Sequence, residues 1–178
     1  MKIVYLVGSL SAESMNRKLA EELVALAPEG VELVEAKIAD LPLYNRDFDG
    51  NWPAVATEFK QQIIDADGVL LITPEHNRSF SAALHNALEW TSRPYGTAAL
   101  TGKPVATIGA SVSGIGTAAG QQPLRSMMAF FGAKLMGQPE GYINGIETGL
   151  MAGEVVPASK EFFAGWIKAF ADFVAANK

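Results

Sequence analysis

Three short polar segments carry the side chains that could do chemistry, and each follows an apolar run. They read GSLSAESMN at residues 8–16, PEHNRS at 74–79 and SVSGIG at 111–116. The first offers the hydroxyls of Ser9, Ser11 and Ser14 before a predicted helix, whose free N–H groups and positive dipole end favour a phosphate group. A plainer interpretation is that Ser14 only caps the helix and the other serines are solvated. The segment alone does not decide between these two.

The other two segments suit a planar ligand. Pro74–Asn77 would present backbone N–H and C=O groups to it, and Gly114 lets the backbone approach closely. The chain has no cysteine, which excludes disulfides, zinc–thiolate sites, iron–sulfur clusters and cysteine nucleophiles. Of its two histidines, His85 falls inside a predicted helix, and we interpret it as a surface or interface residue. No metal site is predicted.

Two further patterns match known sequence motifs only in part. The glycines at 114, 116 and 120 look like a dinucleotide fingerprint, but that fingerprint normally lies in the first βαβ unit with an acidic residue about 20 positions on, and Lys134 stands there instead. Gly109–Ser113 approaches a nucleophile elbow but lacks its second glycine, and both histidines precede it. Neither a Rossmann NAD site nor a hydrolase triad is predicted.

Short β-branched runs alternate with segments of helical periodicity, as in a parallel sheet covered by helices on both faces. The predicted strands are Lys2–Val7, Val31–Lys37, Gly68–Thr73, Pro104–Gly109 and Ala133–Gln138. The predicted helices are Asn16–Ala27, Ala54–Ala66, Ser81–Thr91, Gln121–Phe131 and Ala158–Ala176. The segments Asp40–Pro53 and Gly137–Pro157 are expected to be surface loops. We expect the apolar face of the last helix to pack on the sheet.

Length and charge narrow the class of protein. The 178 residues fit one domain, 1–178, and the net charge of −5 without basic clusters argues against a nucleic acid partner. The first apolar run is too short for a signal peptide or a membrane span, so we expect a cytoplasmic location and no membrane partner.

The segments GSLSAESMNRKLA, PEHNRSFSAALHNALEW and GKPVATIGASVSGIGTAAGQQPLR together resemble the NADPH-dependent FMN reductase family, in order and at matching spacing. The resemblance implies a flavodoxin-like, doubly wound α/β fold with a five-stranded parallel sheet of order 2-1-3-4-5. It also implies one FMN, NADPH or NADH as co-substrate, and a small-molecule electron acceptor such as a quinone, a flavin, an azo compound or a metal oxyanion.

The resemblance also implies site residues. Phosphate contacts would come from the first segment, the isoalloxazine edge would lie along the second, and the third would lie on the other side of the ring. The cofactor-binding set is Ser9, Ser11, Ser14, Met15, Asn16, Pro74, Glu75, His76, Asn77, Ser111 and Gly114. This chain departs from the family pattern at Ser11, where many members have an arginine, at His76, where tyrosine is usual, and at Ser81-Ala82 in place of Pro-Gly. Arg17 or Lys18 would lend charge in place of that arginine.

Arg78 is the predicted substrate-binding residue. Its side chain would reach over the flavin toward the phosphate of NADPH or toward the reduced ring, and the alternative is a solvated loop arginine. No catalytic side chain is expected, because the hydride chemistry belongs to the flavin N5 atom. A non-enzymatic, flavodoxin-like electron carrier is the other function that this pattern allows.

A homodimer or homotetramer is also predicted, with the third and fourth helices at the contact. These helices carry more large apolar residues than one sheet face needs, namely Trp90, Met127, Met128, Phe130 and Phe131. The alternative is that these residues belong to the core.

Overall fold

The computed structural model describes residues 1–178 and contains six strands and five α-helices. The strands are β1 (Lys2–Val7), β2 (Glu32–Glu35), β3 (Gly68–Ile72), β4 (Pro104–Ser111), β5 (Lys134–Leu135) and β6 (Gly141–Asn144). The helices are α1 (Met15–Ala25), α2 (Ala54–Asp65), α3 (Ala82–Ser92), α4 (Ala118–Phe130) and α5 (Pro157–Asn177), with a short 3-10 helix at Arg46–Gly50.

All strands pair in parallel, in the order β2-β1-β3-β4-β5, and β6 also pairs with β4. The predicted strand order is therefore confirmed. Neighbouring residues such as Ile3 and Val4 belong to different core clusters, because side chains alternate across a strand. One cluster includes apolar residues of α1 and α5, and the other includes apolar residues of α2, α3 and α4. Every residue of β3 is buried, as expected of a strand covered on both faces.

The fifth strand position differs from the prediction. Instead of one strand over Ala133–Gln138, β5 pairs with Pro104 and Val105, and β6 pairs farther along the same edge of β4, with Ile108–Ser111. Gly137 and Pro139 lie in the interruption, and proline has no N–H to give to a ladder. The expectation that Gly137–Pro157 is only a loop was therefore wrong, because β6 forms within it.

The apolar side of α5 packs on the sheet as expected, with Phe163, Trp166 and Phe170 at most 1% exposed. The surplus of apolar surface expected on α3 and α4 is smaller than predicted, because Trp90 and Met128 are fully buried. Phe130, in contrast, is 85% exposed. No helix has both the length and the apolar character needed to cross a bilayer.

Gly109 is a point of close contact between β4 and the segment that follows β3. A Cβ at this position would lie 2.0 Å from the carbonyl oxygen of Thr73 and 2.6 Å from Oγ1 of Thr117. We predict that Gly109→Ala lowers the free energy of unfolding in urea by about 1–3 kcal/mol, because backbone must move to make room. The control is Gly165→Ala in α5, where nothing lies within 4 Å and where alanine should stabilise the helix by up to about 1 kcal/mol. Equal effects of the two substitutions would contradict the close contact.

Candidate functional site

The three polar segments meet at the carboxyl edge of the sheet. Gly8, directly after β1, donates its N–H to Ile72 O at the end of β3, at 2.7 Å. Thr73, directly after β3, donates to Ile108 O of β4 at 3.0 Å, and the end of β4 accepts a bond from Gly145, which follows β6. The segments 8–16, 74–79 and 111–116 therefore begin at adjacent strand ends, which is where ligands bind in open parallel sheets.

The first segment is rich in unpaired donors. No backbone N–H from Ser9 to Asn16 donates a hydrogen bond within the chain, and the hydroxyls of Ser9 and Ser11 have no partner either. Ser14 is buried and caps α1, its Oγ accepting the N–H of Arg17 at 3.2 Å. These free N–H groups, together with the positive end of the α1 dipole, suit an anion such as a phosphate group.

Asn16 and Met15 fix the end of this segment to neighbouring parts of the fold. Asn16 is 3% exposed and pairs with both backbone groups of Ala110, donating from Nδ2 to the carbonyl and accepting the N–H at Oδ1, each at 2.9 Å. The sequence interpretation gave Asn16 a phosphate contact, whereas its amide ties α1 to β4. Met15 packs against Gly145, where a Cβ would lie 1.9 Å from its sulfur.

The two cations at the start of α1 have partners elsewhere. Arg17 makes a two-pronged ion pair with Glu35 at the end of β2, at 3.1 and 3.0 Å. The hydrogen bond that the Arg17 guanidinium donates to Glu35 raises the pKa of Arg17 above its ordinary value. Lys18 donates to Met151 O at 3.2 Å and has no carboxylate partner. Lys18 is therefore the more available of the two for an anion at the segment.

The second segment is a tight hairpin. His76 and Ser79 exchange two backbone hydrogen bonds, of 2.8 and 2.9 Å, around Asn77 and Arg78. Both central residues have positive φ, 52° and 63°, as in a type I′ turn. Asparagine tolerates this conformation, but an arginine there costs about 1–2 kcal/mol.

Glu75 fastens this hairpin to α4. Its side chain is only 8% exposed, with Oε2 accepting the N–H of Gly120 at 2.9 Å and Oε1 pairing with Arg78 at 2.8 Å. The carboxylate thus lies at the positive end of α4. Gly120 permits the contact, since a Cβ there would be 2.9 Å from Ser79 O. Glu75 therefore positions the hairpin, and Arg78, although exposed, is already paired.

The third segment is shaped by its own hydroxyls. Ser111 and Ser113 lie 3.0 Å apart through their Oγ atoms, and both donate to Gly116 O. Gly116 has φ of +59°, and a Cβ there would lie 2.6 Å from the backbone of Tyr142 in β6. Gly114 is exposed and has open space at its Cβ position. The loop therefore presents the backbone of Gly114 together with the exposed side chains of Val112 and Ile115.

Sequence reasoning missed a buried polar network beneath the third segment. Gln121 is 0% exposed; it accepts the hydroxyl of Thr107 at 2.8 Å and donates to Thr117 Oγ1 and Gly141 O, both at 2.9 Å. These bonds join α4, β4 and β6 directly behind the loop. The only signal in the sequence is a glutamine on the apolar stripe of a helix.

A pocket of about 540 Å³ lies between the hairpin and α3. We call it the hairpin pocket; its walls include Leu43, His76, Asn77, Phe80, His85 and Glu89. The wall that carries Leu43 is fixed, since Tyr44 N–H donates to Asn86 Oδ1 and Trp90 Nε1 donates to Pro42 O, each at 2.8 Å. A second cavity, of about 520 Å³, is lined by residues that precede β4 and β5, among them Tyr95 and Phe130.

Comparisons with known proteins indicate one family. A family model described as NADPH-dependent FMN reductase matches residues 1–148. The chain is 48% identical over 157 residues to a 2-hydroxy-1,4-benzoquinone reductase from Burkholderia sp, covering 88% of this chain and 86% of that protein. It is 39% identical over 175 residues to a quinone reductase from Pseudomonas putida, covering 93% and 94%.

Solved structures agree as well. The flavoenzyme NAD(P)H:(acceptor) oxidoreductase FerB from Paracoccus denitrificans superimposes with a TM-score of 0.92 at 36% identity, covering 99% of this chain and 98% of that one. A flavodoxin from Pseudomonas aeruginosa, at 19% identity and a TM-score of 0.59 with 99% of both chains covered, shares the fold.

The left-handed conformation of Arg78 generates a stability prediction. Arg78→Gly and Arg78→Ala both remove the ion pair with Glu75, but only glycine relieves the positive φ of 63°. We expect the glycine variant to exceed the alanine variant by about 1 kcal/mol in free energy of unfolding, even after the greater freedom of glycine in the unfolded chain is counted. Arg46, which is exposed and has no positive φ, is the control site. There the alanine variant should be more stable than the glycine variant. The same order at both sites would contradict the hairpin geometry.

Proposed function

The chain belongs to the NADPH-dependent FMN reductase family, and from this premise we propose that it holds FMN at the carboxyl edge of its sheet and passes electrons from NAD(P)H to a quinone. Membership makes it an oxidoreductase that uses FMN and a nicotinamide coenzyme. Bound FMN supplies the redox chemistry by accepting a hydride from the nicotinamide and giving two electrons to the acceptor. The chain supplies binding, orientation and electrostatics.

One observation carries the proposed cofactor site: the run of unpaired N–H groups from Ser9 to Asn16 at the start of α1. An FMN phosphate placed here would accept hydrogen bonds from those groups and from the free hydroxyls of Ser9 and Ser11. Ser14 and Asn16 would contribute indirectly, Ser14 as the helix cap and Asn16 through its two bonds to Ala110. Lys18 would add long-range attraction.

The proposed ring site lies between the second and third segments. Neither Asn77 nor Arg78 donates its backbone N–H within the chain, so both are available to a carbonyl or nitrogen at the ring edge. The exposed backbone around Gly114 would lie on the opposite side, with Ser111 holding the loop in shape. Pro74 and Glu75 are buried or nearly so, and they would act by fixing the hairpin.

Arg78 remains the proposed contact for the co-substrate. One of its nitrogens pairs with Glu75, and the side chain is 70% exposed, so further N–H groups of the guanidinium are available to a phosphate of NADPH. The quinone as acceptor is supported by the names of the two relatives that cover most of this chain.

We further propose a single domain over residues 1–178, a homodimer or homotetramer, and a cytoplasmic location, where NADPH and NADH are available. All six strands belong to one sheet, which supports the single domain. Tyr95 and Phe130, 91% and 85% exposed, support self-association through the ends of α3 and α4.

Direct reduction by NADPH tests the function. FMN-loaded protein mixed anaerobically with one equivalent of NADPH should lose its yellow absorbance within seconds and regain it on addition of p-benzoquinone. The other candidate, a flavodoxin-like electron carrier, has in its favour the fold that this chain shares with a flavodoxin. Such a carrier would stay yellow with NADPH until a separate reductase was added, and that result would contradict the proposal.

The absence of an arginine in the first segment generates a prediction about affinity. Ser11 is exposed beside the free N–H groups, so Ser11→Arg should place a guanidinium near the phosphate and lower the Kd for FMN by about tenfold. Affinity for riboflavin, which lacks the phosphate, should not change. Ser11→Gln, which has length without charge, is the matched control. Fluorescence titration gives both constants, and equal tightening of FMN and riboflavin would place the phosphate elsewhere.

A further inference from the structure

The chain has two histidines, and both line the hairpin pocket. His76 belongs to the hairpin, whose next residue, Asn77, is proposed to meet the flavin edge. His85 lies on α3, on the opposite side of the pocket. Neither the cofactor nor the nicotinamide, as placed above, uses this pocket, yet it adjoins the proposed ring site through His76 and Asn77.

His85 is held in a defined environment. Its ring stacks on the buried ring of Phe80, with centroids 5.4 Å apart and planes at 10°. Its Nδ1 lies 4.0 Å from Oε2 of Glu89, one helical turn away, and its Nε2 has no hydrogen-bond partner in the chain. The side chain is 48% exposed, so a ligand and water both reach it.

We propose that the hairpin pocket binds the quinone acceptor and that His85 gives it a proton. This inference rests on the function proposed above and adds the acceptor site and a catalytic residue to it. The pocket volume of about 540 Å³ lies within the range of small-molecule sites. Phe80 and Leu43 provide apolar surface for a planar ring.

The charges of the pocket select among acceptors. Its titratable side chains are His76, His85 and Glu89, and no lysine or arginine lines it. A metal oxyanion would meet the carboxylate of Glu89 without a permanent cation to bind it. A neutral quinone avoids that repulsion and has two carbonyl oxygens that accept hydrogen bonds. The pocket therefore favours quinones over chromate-like anions.

The reaction balances with one proton from His85. A quinone becomes a hydroquinone by taking up two electrons and two protons. FMN, when bound and reduced, would supply one proton and both electrons as a hydride to one carbonyl oxygen, and the quinone ring would become aromatic. The other oxygen is left as a phenolate and takes a proton from the imidazolium of His85, which is reprotonated by water. General acids of this kind contribute about 100-fold or more to a rate.

Binding is tested without turnover. Oxidised, FMN-loaded protein carrying ¹⁵N-labelled histidine is titrated with methylhydroquinone, which does not reduce the flavin, and the imidazole signals are assigned from His76→Gln and His85→Gln. Both imidazole signals should shift with one common Kd. Absence of a shift at His85 would overturn the proposal.

Kinetics separate this inference from the proposed function. Stopped-flow reduction of His85→Gln by NADPH should proceed at the wild-type rate, whereas reoxidation of the reduced variant by methyl-p-benzoquinone should be about 100-fold slower. Reoxidation by ferricyanide, which takes electrons without protons, should be unchanged. Glu89→Gln should also slow reoxidation by the quinone, by a smaller factor, and should leave the other two rates unchanged. Failure of NADPH to reduce the wild-type protein would instead count against the proposed function.

Lys168→Gln is the matched control variant, because it removes the cation of another exposed pair one turn apart, with Asp172 on α5, far from the pocket residues in the chain. It should match the wild-type protein in all three rates. Quinone reoxidation of His85→Gln at the wild-type rate would overturn the proposal. An equal slowing with ferricyanide would also overturn it, because the substitution would then act on the flavin and not on the proton.

Discussion

The proposed cofactor site depends on one feature, the run of backbone N–H groups before and at the start of α1 that have no acceptor in the chain. A helix always begins with unpaired donors, and here the preceding loop adds more of them. They create a positive region without an arginine or a free lysine directly in the loop. Such a region attracts a phosphate through fixed dipoles, which need no side-chain ordering when the ligand arrives.

Three buried or nearly buried side chains hold that region and the two neighbouring polar segments in place. Asn16 bonds both backbone groups of Ala110 and so ties the start of α1 to β4. Glu75 fixes the hairpin to α4, and Gln121 fixes α4 to β4 and β6. Because these contacts use backbone and buried side chains, the exposed positions are less constrained. This explains how Ser11 and His76 depart from the family pattern while the fold is retained.

The sequence was sufficient for the features that depend on local periodicity. The bounds of β1 were predicted as observed, and each of the five helices was predicted to within three residues at either end. The split of the fifth strand was not predicted, because β6 has four residues and lies in a segment rich in glycine and proline. Trp90 was misjudged because a residue near a helix end can still face the core. The contact of Asn16 with Ala110 joins residues 94 positions apart, and no local pattern encodes it.

The central claim is that the loop before α1 holds the phosphate of FMN, and a comparison of FMN with riboflavin in the wild-type protein tests it most directly. The two ligands share the ring and differ in the phosphate, so isothermal titration at low and high salt isolates the contribution of the loop. The account predicts that FMN binds about 100-fold more tightly than riboflavin, which is about 2.7 kcal/mol, and that the difference shrinks as salt rises. Equal affinities at both salt concentrations would contradict it.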